Sequence, residues 1–568
     1  MTIILGNDEC LDATMPVAFG HSETLSTVSR ALFVRSQIQP TSPAFLNTGE
    51  HMPRPQVGTT GPLSRGFAGA DITGGNTRLW RTDPERPVSS ESTAERTVAT
   101  ALRWLAASRL VAQLVSWAAT IVTIRLLEPS DYGLMAVVTI FTGFLSLLSD
   151  LGLGTAVIRE PTLAPDKLSF ILGATCLVNL GVCALLFFSA PAVAATYGES
   201  RLIPLVRFLS LQFLVEALLV IPWSLLQRRM NFRIVALIDT ASLVLGSVVT
   251  VGLAWQGLSY WSLAIGTFSV SCAKAVLANA VVRAWVIPRL IVPGTHELLS
   301  FGVYLTLNRL VAFFAGQADM IIASRTVAPE VLGTYAVAVG IAMLPVGRVM
   351  ALTNQVALPA FARIQDSPAQ VRSSLLQTVR LLGIVVVPIL WGLSSVAREL
   401  VSVALTARWG DVAIVLALVP LVLPLQVLVA TVATVVVSHG RGDEEWRGRL
   451  LNVPVMAVAF LVGAQWGIVG LSLAWVAGMP IITILNLRRW RAISRIGVLD
   501  VLRQWRGVGL AAGVMYLSVL LCRSLPIVGS IGPLPRLVAL VAAGALVYTA
   551  MAWWMMRDDV RRLLRMAR

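Results

Sequence analysis

Between residues 98 and 556 the chain returns again and again to apolar stretches about as long as a lipid bilayer is thick. An α-helix needs about 20 such residues to cross a ~30 Å hydrocarbon layer. Inside lipid every backbone N–H and C=O must be satisfied within the protein, so such stretches become helices. The windows fall at 98–125, 133–155, 168–190, 203–226, 234–255, 260–283, 299–323, 334–359, 376–397, 412–438, 450–466, 468–487, 507–525 and 535–556. The expectation is an all-α integral membrane protein with about 14 transmembrane helices. Composition agrees: 56% of the 568 residues are hydrophobic and 13% are charged, where an ordinary soluble domain is about a quarter charged. A soluble multidomain enzyme is excluded.

The formal charge of +15 does not point to nucleic acid. Arg159, Lys167, Arg228, Arg229, Arg233, Arg283, Arg289, Arg363, Arg372, Arg380, Arg441, Arg447, Arg449, Arg488, Arg489, Arg491, Arg495, Arg503 and Arg506 all fall in one alternating set of loops. The other set holds Arg125, Arg201, Arg207, Arg325, Arg398, Arg408, Arg523 and Arg536. Cytoplasmic loops collect Lys and Arg, so the first set is expected in the cytoplasm, together with both termini. The five cysteines lack metal or redox spacing, and the four histidines lie in the N-terminal region or in loops. No cofactor, metal or disulfide framework is expected.

Residues 1–95 are rich in Ser, Thr, Pro and Gly, without sustained periodicity, and read as a disordered cytoplasmic tail. The body begins near residue 97 and contains a repeat. Residues 105–137 align without gaps on 305–337, with 12 of 33 positions identical. The matches include Arg109/Arg309, Arg125/Arg325, Pro129/Pro329 and Gly133/Gly333. Apolar bias does not supply Arg, Pro and Gly, so duplication is the better explanation. Six spans separate the copies, so both enter the membrane from the same side. The architecture expected is two pseudo-symmetric six-helix lobes around a central cavity, 96–290 and 291–490. Residues 491–568 then carry two accessory spans and a basic C-terminus. In repeats of this kind, substrate binds at the interface near mid-membrane.

Charge within the spans carries the functional reading. Arg109 lies about 16 Å into span 1, and Arg309 lies at nearly the same depth in span 7. Lys274 in span 6 and Arg348 in span 8 are also deep. Each cation costs about 2.5–3.5 kcal/mol on insertion scales, more than packing alone would justify. Glu216 is the single comparably deep acid, and Asp319 sits nearer the opposite end of span 7. The four cations are therefore candidate ligands for an anion, since guanidinium forks match phosphate oxygens. Glu216 is a candidate for proton coupling. Asp319 is a candidate gate residue or a partner of Arg325. Backbone-carbonyl pairing of Arg109, Arg309 and Arg348, the last beside Pro345, and snorkelling of Lys274 are the competing structural roles.

Several motifs carry a family resemblance. Arg125-Leu-Leu-Glu-Pro129-Ser-Asp-Tyr-Gly133 follows the first span and Asp150-Leu-Gly-Leu-Gly154 ends the second. Arg229-Met-Asn-Phe232, Gly257-Leu-Ser-Tyr-Trp261, Arg408-Trp-Gly-Asp411, and Asp319 with Leu332-Gly-Thr-Tyr335 follow in order. Over about 97–490 the chain resembles the bacterial polysaccharide and lipid-linked oligosaccharide flippases of the multidrug/oligosaccharidyl-lipid/polysaccharide exporter superfamily. The resemblance implies a V-shaped pair of lobes and alternating access. Its implied cargo is an undecaprenyl-diphosphate-linked glycan repeat unit for exopolysaccharide or lipopolysaccharide synthesis. It also implies membrane lipid, and polysaccharide polymerase or export machinery, as partners. Cations of spans 1, 7 and 8 line the cavity in relatives, which puts Arg109, Arg309 and Arg348 in that role. Glu128 and Asp131, with Pro129 and Gly133, read as a turn.

Two rivals remain on sequence grounds. A drug or cation antiporter of the same superfamily would want acids in its cavity, and span 1 has none. A membrane glycosyltransferase or polymerase would want a large catalytic outer loop, and every such loop here is short.

Overall fold

The computed structural model describes residues 113, 115–150, 152–159, 165–283, 286–289, 296–526 and 530–566. The N-terminal tail and Arg109 lie outside them. Among the described residues the secondary structure is helical. α1 (Val115–Leu126) is the described part of the first expected span. α2 (Pro129–Asp150), α3 (Leu153–Arg159), α4 (Pro165–Tyr197), α5 (Leu202–Ser210), α6 (Gln212–Arg228), α7 (Phe232–Trp255) and α8 (Tyr260–Val282) complete the first half. The second half runs through α9 (His296–Thr326), α10 (Pro329–Arg363), α11 (Pro368–Ser395), α12 (Ala397–Ala404), α13 (Val412–Ser438), α14 (Gly442–Gly463) and α15 (Gly467–Arg489). α16 (Val498–Ser524) and α17 (Pro533–Met566) follow.

Eleven of the described stretches are long and apolar enough to cross a membrane. One of them, Gly442–Arg489, contains both α14 and α15, joined by a short 3-10 turn at Ala464–Trp466. α1 is short as described, and α9 falls outside the eleven. Large apolar side chains point outward, Phe188 at 76% exposure and Trp554 at 77%. On a water-soluble protein such surface would be a liability; against lipid it is the expected face.

Proline sets several boundaries. Pro129, Pro165, Pro329, Pro368 and Pro533 each stand first in their helices, where a fixed φ suits the helix and the missing N–H costs nothing. The expected span 4 is two helices, α5 and α6, meeting at Leu211. α13 is the most enclosed element, burying Val415, Leu416, Val419, Leu423, Val427 and Val432 against α10, α11 and α15. α7 pairs with α8, and α14 with α15. The two repeat copies meet where α2 lies along α10 and α9.

α16 and α17 are attached along the length of α11. Trp505 Nε1 donates to the Val379 carbonyl at 3.0 Å and the Tyr548 hydroxyl to the Ile384 carbonyl at 2.7 Å. Arg372 pairs with Asp500 at 2.9 Å, and Arg380 pairs with Asp559.

Candidate functional site

The repeat residues converge at one end of the bundle, where α1 and α9 finish and α2 and α10 begin. Gly133, one turn into α2, packs on the backbone of Pro329, and a methyl group built on it would run into the Pro329 carbonyl oxygen. Gly333, one turn into α10, packs on Pro129, and a methyl there would run into the Pro129 carbonyl oxygen. The contact is reciprocal: residue i of each copy touches residue j of the other, as a two-fold axis requires. Absence of a side chain is what lets the two helices approach this closely. The expected turn role for Pro129 and Gly133 is therefore only half the account. Pro129 starts α2, whereas Gly133 lies inside the helix and serves the contact between the halves.

The paired arginines flank this crossing. Arg125, at the end of α1, donates through Nε to the Ala404 carbonyl at 2.8 Å and through Nη2 to the Val403 carbonyl. Those carbonyls close α12, so a cation caps the negative end of that helix. Arg325, at the end of α9, donates from Nε to the Tyr197 hydroxyl at 3.1 Å, and its guanidinium lies 4.8 Å from the centre of that ring. Tyr197 ends α4, in the first half, and its hydroxyl also meets Ser324 Oγ at 3.2 Å. Each arginine thus reaches into the opposite half. Arg408 meets Glu128 at 3.4 Å and Tyr132 stands edge-on to buried Trp409 at 5.4 Å, two further contacts between the halves. Asp131 accepts the Glu128 backbone N–H at 3.1 Å and the Ser259 hydroxyl, which fits the turn role expected of it. Beside Tyr197, the Arg201 guanidinium grips Glu199 at 2.9 Å and holds its carboxyl below the usual range. We call this set of contacts the clasp.

Below the clasp, a cavity of about 500 Å³ opens between α1, α2, α9 and α10. Gln113, Ser116, Thr120, Tyr132, Thr139 and Gln317 are among its polar lining residues, and no charged side chain is among its described lining residues. A second cavity, of about 440 Å³, lies within the second half and shares Gln317 and Met320 with the first. Asp319, Gln426, Glu445, Arg449 and Asn452 border it.

The sequence-derived candidates are spread rather than gathered. Counted from the clasp at 1.5 Å per residue, Asp319 is about 10 Å deep, Glu216 and Lys274 about 21 Å, Arg309 about 26 Å and Arg348 about 28 Å. Lys274 Nζ is 2.7 Å from Asp239 and faces the Trp223 ring at 5.7 Å, so it is engaged by its own half. Glu216 accepts from Gln212 Nε2 at 2.8 Å and from Ser146 Oγ at 3.5 Å. Arg309 is half-buried and engaged by a neighbour. Arg348 is exposed.

Asp319 is 4% exposed and accepts the Tyr335 hydroxyl at 3.1 Å. That hydroxyl accepts Trp475 Nε1 at 2.8 Å. The chain Trp475–Tyr335–Asp319 links α15, α10 and α9, while Arg325, the partner expected for Asp319, is taken up by Tyr197. Sequence reasoning missed Tyr197 and Trp475, and met Trp409 only inside the Arg408-Trp-Gly-Asp411 motif. The identity of Arg125 with Arg325 and the Arg408-Trp-Gly-Asp411 motif mark the clasp without naming its partners.

Comparison with known proteins fits this geometry. The sequence pattern of the family described as "Polysaccharide biosynthesis protein" matches residues 122–414. The chain is 23% identical over 412 residues to the lipopolysaccharide biosynthesis protein WzxC of Escherichia coli (strain K12), covering 70% of this chain and 81% of that protein. It is 24% identical over 452 residues to the succinoglycan biosynthesis transport protein ExoT of Rhizobium meliloti (strain 1021), covering 78% and 90%. Its fold is similar to the lipid II flippase MurJ in an inward closed conformation, with TM-score 0.66, 13% identity and coverage of 80% of this chain and 99% of that one. It is also similar to an inward-facing multidrug resistance MATE family transporter, with TM-score 0.56, 14% identity and coverage of 67% and 95%. With more than half its length matched, and the matched stretch carrying the clasp and both repeat copies of Pro129 and Gly133, the chain belongs to the polysaccharide biosynthesis protein family.

Proposed function

We propose that the protein moves a polyprenyl-diphosphate-linked sugar repeat unit, the undecaprenyl form, across the bacterial inner membrane by alternating access. The observation that carries this reading is the reciprocal clasp closing one end of a cavity between duplicated halves. WzxC, ExoT and MurJ support it through their names, which place them in lipopolysaccharide synthesis, succinoglycan transport and lipid II flipping.

The arginine-rich loops face the cytoplasm and the clasp faces outward, by the charge rule. The lobes are 96–290 and 291–490, and they rock about the substrate site between them, so that the clasp opens as the cytoplasmic side closes. The cargo enters from the cytoplasmic leaflet with its polyprenyl chain left in lipid. Its pyrophosphate is held by Arg309, Arg348 and Arg109, and its sugars meet hydroxyl and amide groups such as Ser116, Thr120 and Gln317. Lys274 takes part by exchanging Asp239 for a phosphate oxygen. Glu216 and Asp319 are the groups through which a proton could couple or gate the cycle. A potential negative inside drives an anion outward by about 2.3 kcal/mol per charge per 100 mV.

Drug or cation export by the same fold is the competing reading. No acidic side chain is among the described lining residues of the cavity between the halves, where a cationic cargo would want one. The test is leaflet accessibility of lipid-linked repeat unit in vesicles. Arg309→Ala with Arg109→Ala removes two charge-assisted bonds of about 1.5–3 kcal/mol each, so flipping should fall at least ten-fold. Unchanged flipping would reject the pyrophosphate clamp.

A further inference from the structure

The short helix α12 is held from both ends by different parts of the molecule. Its C-terminal carbonyls, at Val403 and Ala404, receive Arg125 from the first half. In its first turn Glu399, only 5% exposed, receives Arg523 at 3.1 Å and Arg536 at 3.5 Å. Arg523 ends α16 and Arg536 begins α17, so both cations come from the accessory hairpin. An apolar seam of Val396, Val519 and Leu540 lies beside them. The other carboxylate oxygen, Glu399 Oε2, is buried without a hydrogen bond, as is Arg536 Nε. A buried carboxylate shared by two arginines is costly to leave unpaired, so the hairpin and α12 move together or not at all.

We infer that the accessory hairpin braces the clasp shut through α12. The hairpin fixes Glu399, Glu399 fixes α12, and α12 presents the carbonyl pair that Arg125 needs in order to tie the first half to the second. The clasp is closed on two sides by residues of the repeat itself, at Gly133 and Gly333. Among its further ties, the one through Arg125 depends on two spans that have no counterpart in the repeat. Loosening the hairpin therefore shifts the balance of states toward an open outer end. The inference rests on the alternating-access reading.

The experiment uses the full chain in right-side-out membrane vesicles, with the native cysteines replaced and one probe, Ala136→Cys, placed on the cavity wall one turn below Gly133. A membrane-impermeant thiol reagent added outside reads how often the clasp opens. Glu399→Gln, and separately Arg523→Ala with Arg536→Ala, should each raise the labelling rate about five-fold, the equivalent of a shift of roughly 1 kcal/mol. Arg125→Ala should do the same, and Glu399→Gln added to Arg125→Ala should raise it no further, because both cut one chain of contacts. A rise with Arg125→Ala and none with either hairpin variant overturns the brace and leaves alternating access standing. No rise with any variant, Arg125→Ala included, overturns the clasp as a gate. Should the double arginine variant fail to reach the membrane, the near-isosteric Glu399→Gln decides the question alone.

Discussion

At the scale of single residues, the clasp turns on what Gly133 and Gly333 lack. Leucine at either position must displace a proline carbonyl on the facing helix, and backbone cannot yield as a side chain tip can. Gly133→Leu and Gly333→Leu are expected to hold the outer end ajar, raising labelling of the Ala136→Cys probe and cutting flipping. Gly252, in α7, provides the contrast. Nothing lies within 4 Å of a methyl built there. Gly252→Ala should leave transport unchanged and raise stability by up to about 1 kcal/mol through helix entropy, which a thermal-shift assay in detergent would detect. Arg125 carries a similar lesson. Its pairing with Arg325 in the repeat made it conspicuous, yet the partners differ: main-chain carbonyls for one, a tyrosine hydroxyl for the other.

At the scale of elements, two contacts between helices define testable energetics. α9, α10 and α15 are tied by Asp319, Tyr335 and Trp475 in one hydrogen-bonded chain, all buried. Tyr335→Phe removes the donor to Asp319 and the acceptor of Trp475 together. Leaving buried polar groups unpaired costs about 1–3 kcal/mol each, so the melting temperature should fall by several degrees. An unchanged melting curve would mean that water takes over both bonds. α7 and α8 are tied by Asp239 and Lys274. Asp239→Asn alone strands a lysine within the span, whereas Asp239→Asn with Lys274→Met removes both charges. The single variant should be the less stable of the two, as expected when an ion pair within a membrane span loses one partner. If the double variant retains flipping, Lys274 holds these helices together rather than the cargo.

The whole molecule is organised by charge and by duplication. Nineteen cations in one set of loops against eight in the other are the basis of the orientation we propose. A fluorescent protein inserted at Gly440, in an arginine-rich loop, should fold in the cytoplasm and fluoresce. Alkaline phosphatase inserted at Gly257, at the clasp end, should be exported and active. The reverse pattern would invert the proposed direction of transport. The accessory pair α16 and α17, which stand outside the repeat, emerge as a fitted part of the second half, joined to α11 by ion pairs and by tryptophan and tyrosine hydrogen bonds.

The sequence alone determined the helical, membrane-spanning class, because lipid leaves a long apolar stretch one way to satisfy its backbone. It also determined the doubling, because Arg, Pro and Gly recur at one fixed offset, and through the motifs it pointed to the family. Only the tertiary structure decided where charges end up. Asp319 turns to Tyr335, Lys274 is met by Asp239, and the glycines of an apparent turn carry the contact between halves. The reason is physical. Helical periodicity is local and survives in one dimension, whereas the partner of a side chain is chosen by packing between segments as much as 280 residues apart, as Arg408 and Glu128 are.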